Sequence, residues 1–214
     1  MEVTSQGQKC SLPGCRRLTQ SSSGIGHSQR YCKHHVEFHR RHGSYWFASL
    51  SARELQPFRA SATRWLSENA EDVRVQKSLQ GIASYLTGAG EAANAYSLRD
   101  KSAKERALIA FARLRDASIP PERILQRVIA VSACCDAKGI DQRQREYRQV
   151  QYAKAVHRLA SGTHKTTSGF PMPSKYPRSE GQVLRHMGAW LEDIESLALN
   201  GRDIGNHSQT RSGP

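Results

Sequence analysis

From Ser51 onward, apolar residues recur every three to four positions, the spacing that gives an α-helix one buried face. In SARELQPFRASATRWL the stripe is Leu55, Phe58, Ala62 and Leu66. Ser51 precedes it, and Glu54 follows three residues later, the pairing of a capping box. Val73, Val75, Leu79, Ile82 and Leu86 place a second helix over about 72–86. LTGAGEAANAYSLRD reads as a weak connector. Ser102-x-x-Glu105 is another capping box, opening a helix with Ala107, Leu108, Ala110, Phe111 and Leu114 on its stripe. Ser118 before Pro120 and Pro121 marks the next start, since proline suits the first helical turn. A long polar helix over about 141–160 buries Val150, Ala153, Val156 and Leu159. Residues 161–179 hold three Pro and two Gly and read as a loop. Ser179 and Gln182 suit the cap of a last helix that stops at Gly201, and 201–214 read as a disordered tail. No internal repeat is visible. No alternating run is long enough for a sheet, so any strand is expected as a short hairpin in the N-terminal segment. The expected fold is mainly α, with a helical domain over about 50–200.

Before residue 50 the pattern changes. After a polar, flexible stretch over 1–8, the chain reads Cys10-x4-Cys15, a gap of sixteen residues, then Cys32-x2-His35. Zinc takes four N/S ligands in a tetrahedron. Pro13 and Gly14 between the first two cysteines suit a tight turn. A helix is expected from near Cys32 to Arg41, with Gly43 as its stop. Cys32 and His35 are three apart and share a helical face. His34 points off that face, and His39, one turn beyond His35, is the reserve ligand. His42 is expected to face solvent or a phosphate. Four protein ligands leave no open position for water, so the zinc is expected to be structural. So short a segment lacks apolar residues for a core of its own, and zinc would supply much of its folding free energy.

In chain order this is a knuckle, a long loop and the first turn of a helix. KCSLPGCRR and RYCKHHVEFHRRHG together resemble a treble-clef zinc finger, like the modules near the front of phage-type HNH endonucleases and related mobile-element proteins. The resemblance covers residues 9–43 and carries over Cys10, Cys15, Cys32 and His35 as zinc ligands. It also implies a phage or mobile-element setting. HNH cleavage needs a hairpin-borne general-base His and a metal held by a further His or Asn. After Gly43 the chain has no His until His157, followed by His164 and His186. Nuclease activity is therefore not carried over and stands only as an alternative. Phosphate-cradling glycine loops, a nucleophile elbow and H-E-x-x-H are also missing. Cys134 and Cys135, flanked by Val128, Ile129 and Val131, read as core thiols, because adjacent cysteines rarely meet disulfide geometry.

Charge completes the picture. The chain of 214 residues carries a formal +13 and a pI near 9.9, which favours a polyanionic partner. Lys9, Arg16, Arg17, Arg30, Lys33, Arg40 and Arg41 face only Glu2 and Glu37 within residues 1–43. A second basic stretch runs from Arg143 to Arg185. Candidate nucleic-acid contacts are Arg16, Arg17, Arg30, Lys33, Arg40, Arg41, Lys165, Lys175, Arg178 and Arg185, with the start of the last helix as a phosphate position. Tyr31, Tyr45 and Trp46 are expected to pack in a core, with base stacking as the alternative. The opening MEVTSQGQK lacks an apolar signal region, and no run reaches the roughly 18 apolar residues of a membrane span. The cysteines then imply a reducing compartment, the cytoplasm. The expected protein is a zinc-containing nucleic-acid binder, DNA favoured over RNA, acting as an accessory or regulator rather than as an enzyme. A protein–protein adaptor with a structural zinc module is the other alternative.

Overall fold

The computed structural model describes residues 8–19, 28–93, 96–161 and 181–199. They are mainly helical, and no strand occurs among them. The chain divides into two compact units, Met1–Ser49 and Leu50–Pro214. No helix among the described residues is long and apolar enough to cross a membrane. The expected loop over 161–179, the Ser179 cap, the Gly201 stop, the N-terminal 1–7 and the tail 201–214 lie outside the described residues, apart from Ser161.

Among the described residues, unit 1 holds one helix, α1 (Lys33–His42). Unit 2 is built from α2 (Ala52–Glu68), α3 (Val73–Gly88), α4 (Ala103–Asp116), α5 (Pro121–Ala137), α6 (Arg145–His157) and α7 (Gln182–Leu199). Capping chemistry sets several ends. Ser51 with Glu54 and Ser102 with Glu105 form complete capping boxes at α2 and α4. The Asp72 carboxylate accepts the Arg74 amide and starts α3. Val73, assigned to the buried stripe, is instead 66% exposed. As the first residue of α3 it lies outside the turns that pack.

Ser118 does not begin α5. It sits at φ +53° and ends α4: its amide donates to the Arg115 carbonyl, and the Ile119 amide reaches back to Leu114 at 3.0 Å. These are the paired bonds of a Schellman closure, with serine where glycine is usual. Pro120 then takes the N-cap of α5 and Pro121 its first turn. The long polar helix is also broken up. Short 3-10 turns at Gln142–Gln144 and Arg158–Ala160 flank α6.

Helices α5 and α7 carry the core of unit 2. α5 packs on α2, α3, α6 and α7, and α7 packs on α3, α4 and α6. Phe111, Leu114, Ile124, Leu125, Ile129, Val150, Val156, Met187 and Leu191 are buried in one continuous cluster. Cys134 and Cys135 are buried in it, and burial pushes the Cys135 thiol up to about 12. Charged groups are buried too. Arg148, 4% exposed, donates to Ser132 at 2.7 Å, to the Ile140 carbonyl at 3.0 Å and to Asp136. Ser132 donates to Glu195 of α7. Burial raises the Glu195 pKa against the opposing pull of Ser132 and Arg148.

Two consequences can be measured. At Gly188 of α7 a methyl group would clash with the Gln149 backbone. Gly188→Ala should therefore cost about 1–3 kcal/mol by overpacking. Gly88→Ala, which meets nothing, should stay within about 0.5 kcal/mol. Equal melting temperatures for the two variants would refute this close helix approach.

Burial, with the charge of Arg113, lowers the His157 pKa from 6.5 to about 4. The unfolded chain therefore binds more protons between those values, so stability is full above pH 6.5 and falls as the pH drops toward 4. The loss should be on the order of 3 kcal/mol. His157→Gln should flatten that limb of a denaturation-versus-pH curve, and an unchanged slope would refute the assignment.

Candidate metal centre

Unit 1 brings four donors together from two short pieces of backbone. Leu12-Pro13-Gly14-Cys15 forms a tight turn: the Cys15 amide donates to the Leu12 carbonyl at 3.0 Å, with Gly14 at φ +78°. Proline second and a positive-φ glycine third are the signature of a type II turn. Cys10 and Cys15 thus stand at the base of one knuckle. Its arms are joined by an isolated bridge between Lys9 and Leu18 and by a Cys10 amide to Arg17 carbonyl bond of 2.9 Å. The Ser11 amide donates to the Arg30 carbonyl at 2.8 Å and ties the knuckle to the chain entering α1.

Cys32 is the N-cap of α1 and makes no side-chain cap bond, so its sulfur is available. His35 lies one turn on, its amide donating to the Cys32 carbonyl at 2.9 Å. Its Nδ1 stands 3.3 Å from the Cys32 Sγ and 3.4 Å from the Cys10 Sγ. The Sγ atoms of Cys15 and Cys32 are 3.9 Å apart. All four donor atoms lie within 4.8 Å of one another.

This geometry can be tested against an ion. With metal–sulfur and metal–nitrogen bonds of about 2.3 and 2.0 Å, a tetrahedron has edges of about 3.8 Å between sulfurs and about 3.5 Å from sulfur to nitrogen. The observed separations fit, so the arrangement is compatible with a metal site. Four protein donors fill a tetrahedron and leave no position for a reactive water. At Cys10, burial raises the thiol pKa. The Cys32 and Leu12 backbone, with His35 and Cys15, outweigh this and bring it to about 6. At Cys15 the Arg17 backbone lowers the value, but burial and the neighbouring Cys10 and Cys32 raise it overall. Packing three sulfurs this closely sets their charges against one another, and a cation relieves that repulsion.

The other histidines have different work. His34 is exposed and lies near the Phe38 ring. His39, the reserve ligand, stacks on Tyr45 with centroids 4.2 Å apart. Tyr45 in turn lies 4.2 Å from Tyr31. His42 does not simply face solvent: its Nδ1 accepts the Ser49 amide at 2.9 Å. Tyr31 and Tyr45 pack as expected, but Trp46 does not and is 60% exposed. Its backbone is nevertheless fixed, because the Ser44 hydroxyl accepts the amides of Trp46 and Phe47. This exposure departs from the expected core packing, since an aromatic beside a helix reads first as core.

Among the proposed nucleic-acid contacts, Arg16, Arg17, Arg30, Lys33, Arg40 and Arg41 are all exposed in unit 1. Lys165, Lys175 and Arg178 lie outside the described residues. Arg185 is held by Glu146, with Nε to Oε1 at 2.6 Å. Comparison with known protein families, with characterised proteins and with solved structures finds no match for this chain.

One equivalent of bound metal per chain is expected after purification without chelator, and Cys32→Ser should lose it. Hydrogen exchange should then show protection collapsing across α1 while α5 and α7 keep theirs. Metal-free wild-type protein with α1 still protected would refute the site.

Proposed function

We propose that unit 1 is a structural zinc module of treble-clef type and that it presents a basic surface to nucleic acid, DNA favoured. The observation that carries this reading is the coincidence of two features in one small unit. A closed Cys3His donor set sits at the start of α1, and exposed cations surround it. Three thiolates and an imidazole in a tetrahedron suit zinc, which takes N and S ligands and imposes no geometry of its own.

Lys33, Arg40 and Arg41 on α1 and Arg16, Arg17 and Arg30 on the knuckle side are exposed. Among the described residues of unit 1, Glu37 is the one acid. Such a surface neutralises phosphates and releases their counterions, which gives affinity that falls steeply with salt. Trp46, exposed shortly after the end of α1, adds a ring face of the kind on which unpaired bases stack. The zinc would hold the knuckle and the helix together so that these charges act as one surface. The resemblance over residues 9–43 makes an accessory or regulatory role in a phage or mobile element the natural setting.

The test is fluorescence anisotropy of labelled duplex and single-stranded DNA against the zinc-loaded full chain over a salt series. Arg40→Ala/Arg41→Ala should weaken binding about tenfold or more and reduce the salt slope by about 1–2, near 0.9 for each phosphate no longer neutralised. Flat anisotropy at low salt with both DNAs and with RNA would overturn the reading.

A further inference from the structure

We propose that unit 1 takes single-stranded nucleic acid in preference to duplex, with Trp46 as the ring on which an unpaired base stacks. This rests on the reading of unit 1 as a nucleic-acid module and names the form of nucleic acid it accepts.

The segment after α1 holds that ring outward. Gly43, at φ +75°, turns the chain out of the helix, and its amide donates to the His39 carbonyl at 2.8 Å. The Ser44 hydroxyl accepts the Trp46 amide at 3.1 Å and the Phe47 amide at 3.2 Å. The Ser49 amide then returns to His42 Nδ1 at 2.9 Å. These bonds close residues 43–48 into a loop on the last turn of α1. Within the loop Tyr45 is the inward anchor, stacked on His39 and set against Tyr31. Trp46, the next residue, is 60% exposed. An aromatic ring on a backbone already fixed meets a partner with little ordering cost.

Single exposed apolar side chains are common on protein surfaces. Here they gather in the smaller unit. Of the five exposed large hydrophobics among the described residues, three, Leu18, Trp46 and Phe47, belong to unit 1. The same unit exposes Arg40 and Arg41 in the last turn of α1, the turn on which the loop closes. Glu37 is the one acid among its described residues. A polyanion therefore complements this surface. Duplex brings phosphates but keeps its base faces inside the stack, so it meets the cations and leaves the indole in water. A single strand brings phosphates for the arginines and a base face for the ring. Every base has a π face, so the preference is for strand form rather than for sequence.

The test uses the zinc-loaded full chain in anisotropy titrations with a dT oligomer of about 15 nucleotides and with a mixed-sequence duplex of equal length. Wild type should bind the oligomer more tightly than the duplex. Trp46→Ala should lose about fivefold or more of its single-strand affinity, the effect of one stacked base, and keep its duplex affinity. Trp46→Leu retains apolar area without a π face and should behave as the alanine variant does. Trp46→Phe should retain most of the affinity. It should also lose the tryptophan quenching that the oligomer causes in wild type, because Trp65 and Trp190 belong to unit 2. Unchanged melting temperatures establish that the variants are folded.

Equal wild-type affinity for the two strand forms overturns the inference, as does unchanged single-strand affinity in Trp46→Ala. Leucine restoring as much affinity as phenylalanine also overturns it. Each of these leaves the nucleic-acid reading of unit 1 standing. Flat anisotropy with both probes removes that reading as well, and Trp46 then marks a contact with another protein. An oligo-U of the same length separates the two sources of a single strand: the tighter of dT and U names DNA or RNA.

Discussion

Unit 1 depends on the convergence of three thiols and one imidazole. Among its described residues, the buried apolar positions are Cys10, Leu12 and Cys32, with Cys15, Tyr31 and Tyr45 packed against them. Three of these six are donors of the cluster. Without the cluster's cohesion little remains to offset the conformational entropy of ordering a knuckle and a ten-residue helix. The backbone devices are therefore in the service of the donors. The type II turn holds Cys10 and Cys15 together, the N-cap position keeps the Cys32 sulfur out of any capping bond, and one helical turn sets His35 beside it. A cation at the centre would convert mutual repulsion among the sulfurs into the strongest tie between the knuckle and the helix.

Unit 2 is held on a different principle. Its apolar cluster is continuous and draws on all six helices, and its polar groups are placed inside rather than excluded. Arg148 links α5 and α6, and through Ser132 the network reaches Glu195 of α7. A buried ion network contributes less net stability than its short distances suggest, because desolvation opposes it. Its partners have fixed positions, however, so breaking one member leaves a charge stranded. The glycines at 81 and 188 act in the same direction. Gly81 of α3 leaves room for the Ile194 side chain of α7, and Gly188 lets α7 lie against the α6 backbone, so closely that an added side chain at either would force a shift.

How far the sequence disclosed this follows from which forces are local. The capping boxes at Ser51 and Ser102 were legible because each is written within four residues. The closeness of the four donors was legible for a related reason: their spacing is set by one turn and one helical turn. His39 is not one of the four close donors; its ring stacks on Tyr45, a packing that spacing does not encode. Ser118 misled because a serine before proline reads as a helix start, whereas the bonds it makes run backward into α4. Trp46 was assigned to a core on hydrophobicity, with base stacking as the alternative, and its exposure departs from the first of these.

The largest gap concerned charge. A stretch of basic residues between 143 and 185 suggests a cationic surface, but tertiary pairing removes much of it. Arg145 meets Glu192, Arg148 is buried with Asp136 and Glu195, and Arg185 meets Glu146. Each acid lies far enough along the chain, or across a helix pair, that no local window shows the match. A net charge of +13 therefore says little until it is sorted by partner. Cations answered by acids belong to the fold. They are not available to neutralise a phosphate, whatever the sum of charges says.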